Sequence, residues 1–364
     1  MLLKTLQTFE TPSIESLLNL WAQRYIPDSS FLALLKDPLN YNSLIEANSP
    51  EGRAITVTKL TDNVLNLNSQ MAWLQTKTLH NYIPNVLDLN EARRITQFAT
   101  RVYRKLLQIY QKQSLSLALR TAQESEAADF FAPHSFISFI SFDKSALTQI
   151  SYELEPILLV FQEQLLASRD WRALGFMTTQ LKFTNKLILS YLTPIEQVLL
   201  GSYLKFIEEQ VSMPWQRICT AAGTHKLGSS ALSLVEQMIP VAEEIAQTVH
   251  HRLIQLFPNY QSRTGCLTDP DVAHSSIRDL NMFQSYLWLS VLEQSLVPVE
   301  EELVNLCKMV LKAIEVKWEI AEISTQLLVD EVLKRLTLEH QAILLPYTQA
   351  LQQIFLKVGY QLRN

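Results

Sequence analysis

The sequence predicts an all-α fold with little or no β-structure, and three features lead to this prediction. The chain of 364 residues contains only seven glycines, although tight hairpins and phosphate-binding loops depend on glycine for positive φ angles. Most prolines stand where helices would begin. Apolar residues recur at helical spacing, as in Leu234, Met238, Val241 and Ile245. We expect a multi-helix bundle, and an irregular helical-repeat array is the alternative, because several prolines recur at spacings near known repeat lengths.

The helix starts are marked by capping residues. In the run that begins at residue 193, Thr193 is expected to cap the helix, Pro194 to fill its first turn and Glu196 to complete a capping box. Ser49 and Asp269 each precede a proline in the same way. These signals predict that helices begin at about residues 50, 194 and 270.

Apolar periodicity between such signals predicts twelve helices in chain order. They cover residues 13–25, 29–37, 50–82, 90–128, 144–168, 170–191, 194–211, 214–222, 230–257, 271–294, 299–336 and 338–362. The eleventh is expected to break near residue 314. Pro156, Pro240 and Pro346 lie inside helical patterns, so each predicts a kink or a break.

Composition narrows the class of protein. Hydrophobic residues make up 48% of the chain and charged residues 18%, which is enough for a large buried core. The net charge of −5 argues against a dedicated nucleic-acid binder. Cys219, Cys266 and Cys307 are too sparse for a disulfide framework or a zinc site, so reduced thiols and a cytoplasmic location are expected. No apolar run is long enough to predict a transmembrane segment.

A phenylalanine-rich stretch at residues 130–142 predicts the domain organisation. It carries five of the fifteen phenylalanines, and the net charge changes from slightly positive before it to negative after it. We expect an N-terminal helical region at 1–129, this connector, and a larger helical domain at 143–364. The connector is either buried between helical layers or exposes Phe136 and Phe139 as a docking segment for a partner or an apolar ligand.

A line of cations is the first candidate binding surface. Arg94, Arg101, Lys105 and Lys112 are separated by seven, four and seven residues, so on a helix they share one line about 27 Å long. Such a line is either a plain solvated face or a surface that docks an acidic protein, a phosphate backbone or an anionic membrane, and of these partners the protein is favoured.

A polar helix face is the second candidate site. Asp271, His274 and Arg278 share one face of the helix that follows the loop containing Arg263. A carboxylate near the histidine could orient the imidazole for proton transfer, and Arg278 could hold an anion. The alternative is an ordinary helix start with an exposed ion pair.

Other chemical motifs are weak. Residues 223–230 resemble a phosphate loop, but Ser229 stands where that loop has its lysine, and Lys226 lies inside the loop instead. No histidine spacing predicts a metal site or a cofactor. The pair Glu208-Glu209 is expected to lie on a solvated face. The sequence therefore favours a non-enzymatic interaction protein, such as an adaptor, assembly factor or regulator, that binds a protein partner. A binder of a small apolar ligand or pigment is the first alternative, and an enzyme that uses the 271–278 face is the second.

Overall fold

A computed structural model describes residues 11–25, 38–79, 89–113, 149–154, 156–158, 160, 172–313 and 315–363. Within these residues 85% are helical, in 14 α-helices, and the one sheet has two strands. The all-α, multi-helix prediction is confirmed. In the described part of the chain, no helix is both long and apolar enough to cross a membrane.

Five helices form the N-terminal part. They are α1 (Pro12–Ala22), α2 (Pro38–Asn48), α3 (Pro50–Lys59), α4 (Asp62–Leu79) and α5 (Leu89–Lys112), and a short 3-10 turn follows α1. The single helix predicted at 50–82 is two helices, because Leu60 leaves the helical conformation (φ −107°, ψ 55°) and buries its side chain between them. The helix α2 was not predicted, although Asp37 and Pro38 stand at its start in the sequence, and the helix predicted at 29–37 lies outside the described residues.

Nine helices and a hairpin form the C-terminal part. They are α6 (Arg172–Leu189), α7 (Pro194–Ser212), α8 (Trp215–Ala222), α9 (Ser230–Met238), α10 (Ala242–Leu256), β1 (Gln261–Ser262), β2 (Gly265–Cys266), α11 (Pro270–Glu293), α12 (Val304–Ala313), α13 (Trp318–Lys334) and α14 (Leu338–Arg363). A π-helical turn at Pro298–Leu303 leads into α12. The hairpin strands pair antiparallel, with Gln261 opposite Cys266.

The helix starts follow the capping signals with one exception. At the start of α7, Thr193 and Glu196 form the predicted capping box. Ser49 caps α3 through the amide of Gly52 at 3.0 Å. The Asp269 side chain makes no capping bond to α11 and instead accepts a hydrogen bond from the amide of Cys266 at 2.8 Å. Asp269 therefore ties the hairpin to the start of α11.

The internal prolines act differently from one another. Pro240 lies in a 3-10 turn at Ile239–Val241 that separates α9 from α10, as predicted. The expected break near residue 314 is also present, between α12 and α13, where Glu315 has a φ of 55°. Pro346 was expected to kink or break its helix, yet α14 runs through it. Pro346 and Ala342 are both exposed, so water can replace the hydrogen bond that the proline removes.

One apolar cluster joins helices from both ends of the chain. Trp21 of α1 stacks on Trp215 of α8 with ring centroids 3.9 Å apart, and it meets Trp288 of α11 edge-on at 6.1 Å. Along the sequence, the first residue of this cluster is Ile14 and the last is Val358. The predicted connector at 130–142, with the domain limits that depend on it, lies outside the described residues and stays a prediction.

Candidate functional site

The predicted cation line lies on the outer side of α5. Arg94, Arg101 and Lys112 are exposed and Lys105 is half-buried. Residues on the opposite side of the same helix are buried in the core, and they include Ile95, Val102, Leu106 and Ile109. The helix carries six basic residues and one acidic residue. Its apolar side fixes the direction in which the cations face.

The structure adds a groove to this surface, between α4 and α5. The groove has a volume of about 460 Å³ and is lined by Arg93, Arg101 and Arg104, with Trp73 in its wall and amide and hydroxyl side chains between them. None of the described residues that line it is a carboxylate. Arg93 and Arg104 were missed in the sequence because they lie to one side of the cation line, facing a helix whose position the sequence does not reveal.

Two cations near the groove have partners. Arg104 forms an ion pair with Asp62 of α4 at 2.9 Å, and both side chains are exposed. Lys105 forms an ion pair with Glu153 at 2.5 Å. The hydrogen bond from Lys105 lowers the pKa of the Glu153 carboxyl. Arg93 and Arg101 have no ion-pair partner among the residues that the structure describes.

An apolar stripe lies beside the groove on α4. Leu67, Met71 and Leu74 are spaced by four and three residues, so they share one face of the helix. Their side chains are 51%, 41% and 56% exposed. Single exposed apolar residues are ordinary, whereas a contiguous set is typical of an interaction site. We call the groove and this stripe together the α4/α5 surface. Phe136 and Phe139, the other predicted partner-binding residues, lie outside the described residues.

The polar face of α11 opens on a pocket between α6, α7 and α11. The pocket has a volume of about 550 Å³, and Asp271, His274 and Arg278 line it together with Lys182 and Glu208. The structure therefore brings three predicted site residues together. The fourth, Arg263, lies at the hairpin and forms an ion pair with Glu315 at 3.3 Å.

Glu208 is the centre of this pocket. Its side chain is 8% exposed, and the Nε2 atom of His274 lies 2.9 Å from its Oε1. Arg278 Nη1 lies 3.8 Å from the same oxygen. Burial by itself would raise the pKa of Glu208, but the hydrogen bond from His274 and the charges of His274, Arg278 and Lys182 bring it below its usual value. Glu208 is therefore an ionised carboxylate inside the protein.

The expected solvation of Glu208 and Glu209 was wrong. Both are buried, because α7 is covered by neighbouring helices on both of the faces that carry them. Glu209 binds Arg24 at 3.1 Å and accepts a hydrogen bond from the hydroxyl of Tyr25 at 2.8 Å. A sequence signal did exist, since Phe206, Ile207 and Val211 flank the two acids, and acids buried in a central helix need partners.

Asp271 has a different partner from the one that its spacing suggested. The carboxylate that holds His274 is Glu208, whereas Asp271 forms ion pairs with Lys182 at 3.5 Å and Lys186 at 3.6 Å. Burial lowers the pKa of Lys182, while Asp271 acts in the opposite direction. Asp271 thus joins α11 to α6.

Few side chains in the pocket are available for a chemical reaction. His274 is about half exposed beside an ionised carboxylate, an arrangement that can transfer a proton. The other charged side chains that line the pocket are also in ion pairs, including Lys205, which lies 4.0 Å from Glu209 and 3.8 Å from Glu243. Among the described residues, no group of three histidine, cysteine or acidic side chains is placed to hold a metal ion.

Comparisons of this chain with protein-family models, with curated proteins and with solved structures gave no match.

Proposed function

We propose that this chain is a non-enzymatic interaction protein, an adaptor, assembly factor or regulator of the cytosol, whose α4/α5 surface binds an acidic amphipathic helix of a partner protein. The observation that carries the proposal is the groove lined by three arginines and no described carboxylate, next to the exposed stripe of Leu67, Met71 and Leu74. The cytosolic location is supported by free cysteines, two of which are buried.

The charge of the surface supports an acidic partner. The whole chain has a net charge of −5, so a groove with three cations differs from the average surface of the protein. Opposite charge steers encounter and excludes partners of the wrong sign. Arginine also binds carboxylates through two parallel hydrogen bonds, which gives orientation as well as attraction.

The apolar stripe supports a helical partner. Apolar residues at spacings of four and three match the face that an amphipathic helix presents. A partner helix with leucines or phenylalanines on one side and acids on the other would cover the stripe and reach the arginines at once. Apolar contact then supplies affinity, and the groove supplies specificity and a fast, salt-sensitive association.

The test measures binding of a labelled amphipathic peptide of about 15 residues, with leucines on one face and glutamates on the other. We expect fluorescence anisotropy to detect binding that weakens as salt is raised. The double variant Arg93→Glu/Arg101→Glu should weaken binding at least about tenfold, because it replaces attraction by repulsion in the groove.

A matched control distinguishes an effect of the α4/α5 surface from an effect of the net charge of the chain. Lys226→Glu/Lys357→Glu makes the same change in net charge at exposed residues away from α4 and α5, and it should bind the peptide like the natural chain. Equal losses in both double variants would contradict the proposal. So would preferential binding of a single-stranded oligonucleotide over the peptide at the same salt concentration.

A second function has one specific observation in its favour, which is the His274–Glu208 contact at 2.9 Å in an open pocket. In this hypothesis the chain is an enzyme and His274 transfers a proton. His274→Ala should then abolish turnover of a substrate in a hydrolase panel while the variant still unfolds cooperatively, because Arg278 continues to face Glu208. His251→Ala, at an exposed histidine of α10, should keep the turnover of the natural chain. Turnover that survives His274→Ala, or none in the natural chain, counts against it.

A further inference from the structure

A small cavity lies in the C-terminal part, away from the α4/α5 surface. It has a volume of about 160 Å³ and lies between α6, α11, α12 and α13. Its wall is mostly apolar, with Val272, Phe283, Leu306, Val310, Ile320 and Ala321 among the residues that line it. An engineered apolar cavity of about 150 Å³ stays dry and binds benzene, so this one has room for a single small ring.

The charges in the wall neutralise each other. Arg278 and Asp279 both line the cavity, and the Arg278 guanidinium donates to Asp279 Oδ1 from Nε at 3.0 Å and from Nη2 at 2.7 Å. An ionic ligand would have to break this pair or enter without a counter-charge, and burying an unpaired charge is costly. The charge balance therefore favours an uncharged ligand.

The hydroxyl groups in the wall are also committed. Ser275 donates to the carbonyl of Asp271 at 3.0 Å, and Ser324 donates to that of Ile320 at 2.6 Å. Ser276 lies 3.0 Å from Nδ1 of the buried His250. The oxygens of these groups retain lone pairs, so a ligand with one hydroxyl or N–H donor fits better than one with several polar groups.

The hairpin closes one side of the cavity. Ser262 and Thr264 line it from the hairpin, and Val316 lines it from the segment between α12 and α13. These two segments are joined by the ion pair of Arg263 with Glu315 at 3.3 Å. They are also joined by the amide of Lys317, which donates to the hydroxyl of Tyr260 at 3.1 Å. Together these two segments cover one side of the cavity. The contacts that join the segments are few and partly exposed.

We propose that this cavity is a binding site for a small uncharged aromatic molecule with at most one polar group, and that the hairpin covers the bound molecule. This site is independent of the α4/α5 surface. Arg263 and Arg278, which the sequence marked as parts of one polar site, have separate roles here: Arg263 holds the cover, and Arg278 balances the charge of the wall.

Two probes of nearly equal size test the proposal, namely benzyl alcohol and benzoate. The melting temperature of the full chain should rise with the concentration of benzyl alcohol, because the molecule binds only the folded state. Benzoate should produce no such rise, because its charge has no partner in the cavity. Ligand-observed NMR should show transfer of saturation to benzyl alcohol alone.

Ala321→Phe should place a ring in the cavity and abolish the response to benzyl alcohol. Ala342→Phe adds the same ring at an exposed position of α14 and should leave the response intact. If Ala321→Phe does not unfold cooperatively, Val310→Phe takes its place. The proposal is overturned by three outcomes: no response in the natural chain, an equal response to benzoate, or an undiminished response in the filled variant.

Discussion

Two charged regions of this molecule differ in how their charges are matched. Around Glu208 and Glu209 every charge has a near partner of opposite sign, and the two glutamates are buried. On the α4/α5 surface, Arg93 and Arg101 are exposed and have no ion-pair partner among the described residues. The same residue types thus hold helices together in one region and are available for binding in the other.

Burial and pairing distinguish the structural charges of this molecule from charges that are available for binding. A buried charge must be paired, and removing one partner leaves the other uncompensated at a cost of about 3–5 kcal/mol. A substitution at an exposed surface position away from such features changes stability by about 0.5 kcal/mol or less. Stability and binding should therefore respond to different substitutions.

The largest effect is expected at Arg24. Its side chain is 4% exposed and pairs with Glu209, so Arg24→Met leaves a buried carboxylate with a weaker partner, Lys205, at 4.0 Å. We expect a loss of about 3 kcal/mol in the free energy of unfolding, measured by urea denaturation. Lys357→Met, at an exposed position, is the control and should be nearly neutral. A loss for Arg24→Met no larger than that of the control would show that the buried pair is not structural.

A smaller loss is expected for Glu208→Gln. The substitution keeps the shape of the side chain but removes the charge that faces His274 and Arg278. Arg278 retains Asp279 at 2.7 Å, so the remaining cation is still compensated. We expect a loss of about 2 kcal/mol, with peptide binding at the α4/α5 surface unchanged. A simultaneous loss of binding would mean that the two regions are coupled.

Acid should remove the contribution of a third paired acid, Glu331. Hydrogen bonds from Arg335 and Lys334 lower the pKa of Glu331 from 4.5 to about 2. Because the folded state holds the proton less tightly than the unfolded state, the stabilising contribution is complete above a pH of about 4.5 and is lost as the pH falls toward 2. The difference in unfolding free energy between the natural chain and Glu331→Gln should therefore shrink over this range. A difference independent of pH would contradict the assignment.

The smallest change in stability is expected for Arg93→Glu/Arg101→Glu. Both side chains are exposed, so the free energy of unfolding should change by about 0.5 kcal/mol or less. Urea denaturation checks this. A loss above about 2 kcal/mol would place these arginines with the structural charges instead.

The fold class and many helix boundaries could be predicted from the sequence, because helix caps and apolar periodicity are local signals. Thr193 and Glu196 formed the predicted box, and Pro240 ended its helix. Pro346 did not end its helix, and its exposed position lets water satisfy the carbonyl of Ala342 that the proline leaves without a hydrogen bond.

The pairing of charged side chains from different helices was harder to predict than the positions of the helices. The partner of His274 comes from α7, 66 positions away in sequence, and the groove needs α4 beside α5. Spacing within one helix identifies a shared face but not the helix that covers it. For this reason the spacing placed Asp271, His274 and Arg278 on one face, and they line one pocket, but it gave no sign of Glu208 and Lys182 from other helices.

The most direct test measures peptide binding and unfolding free energy together for two variants. Arg93→Glu/Arg101→Glu should lose binding of the acidic amphipathic peptide and keep its stability, while Glu208→Gln should lose stability and keep binding. This double dissociation is the result that the separation of structural and binding charges predicts. If the arginine variant still binds the peptide as the natural chain does, the α4/α5 surface is not the binding site.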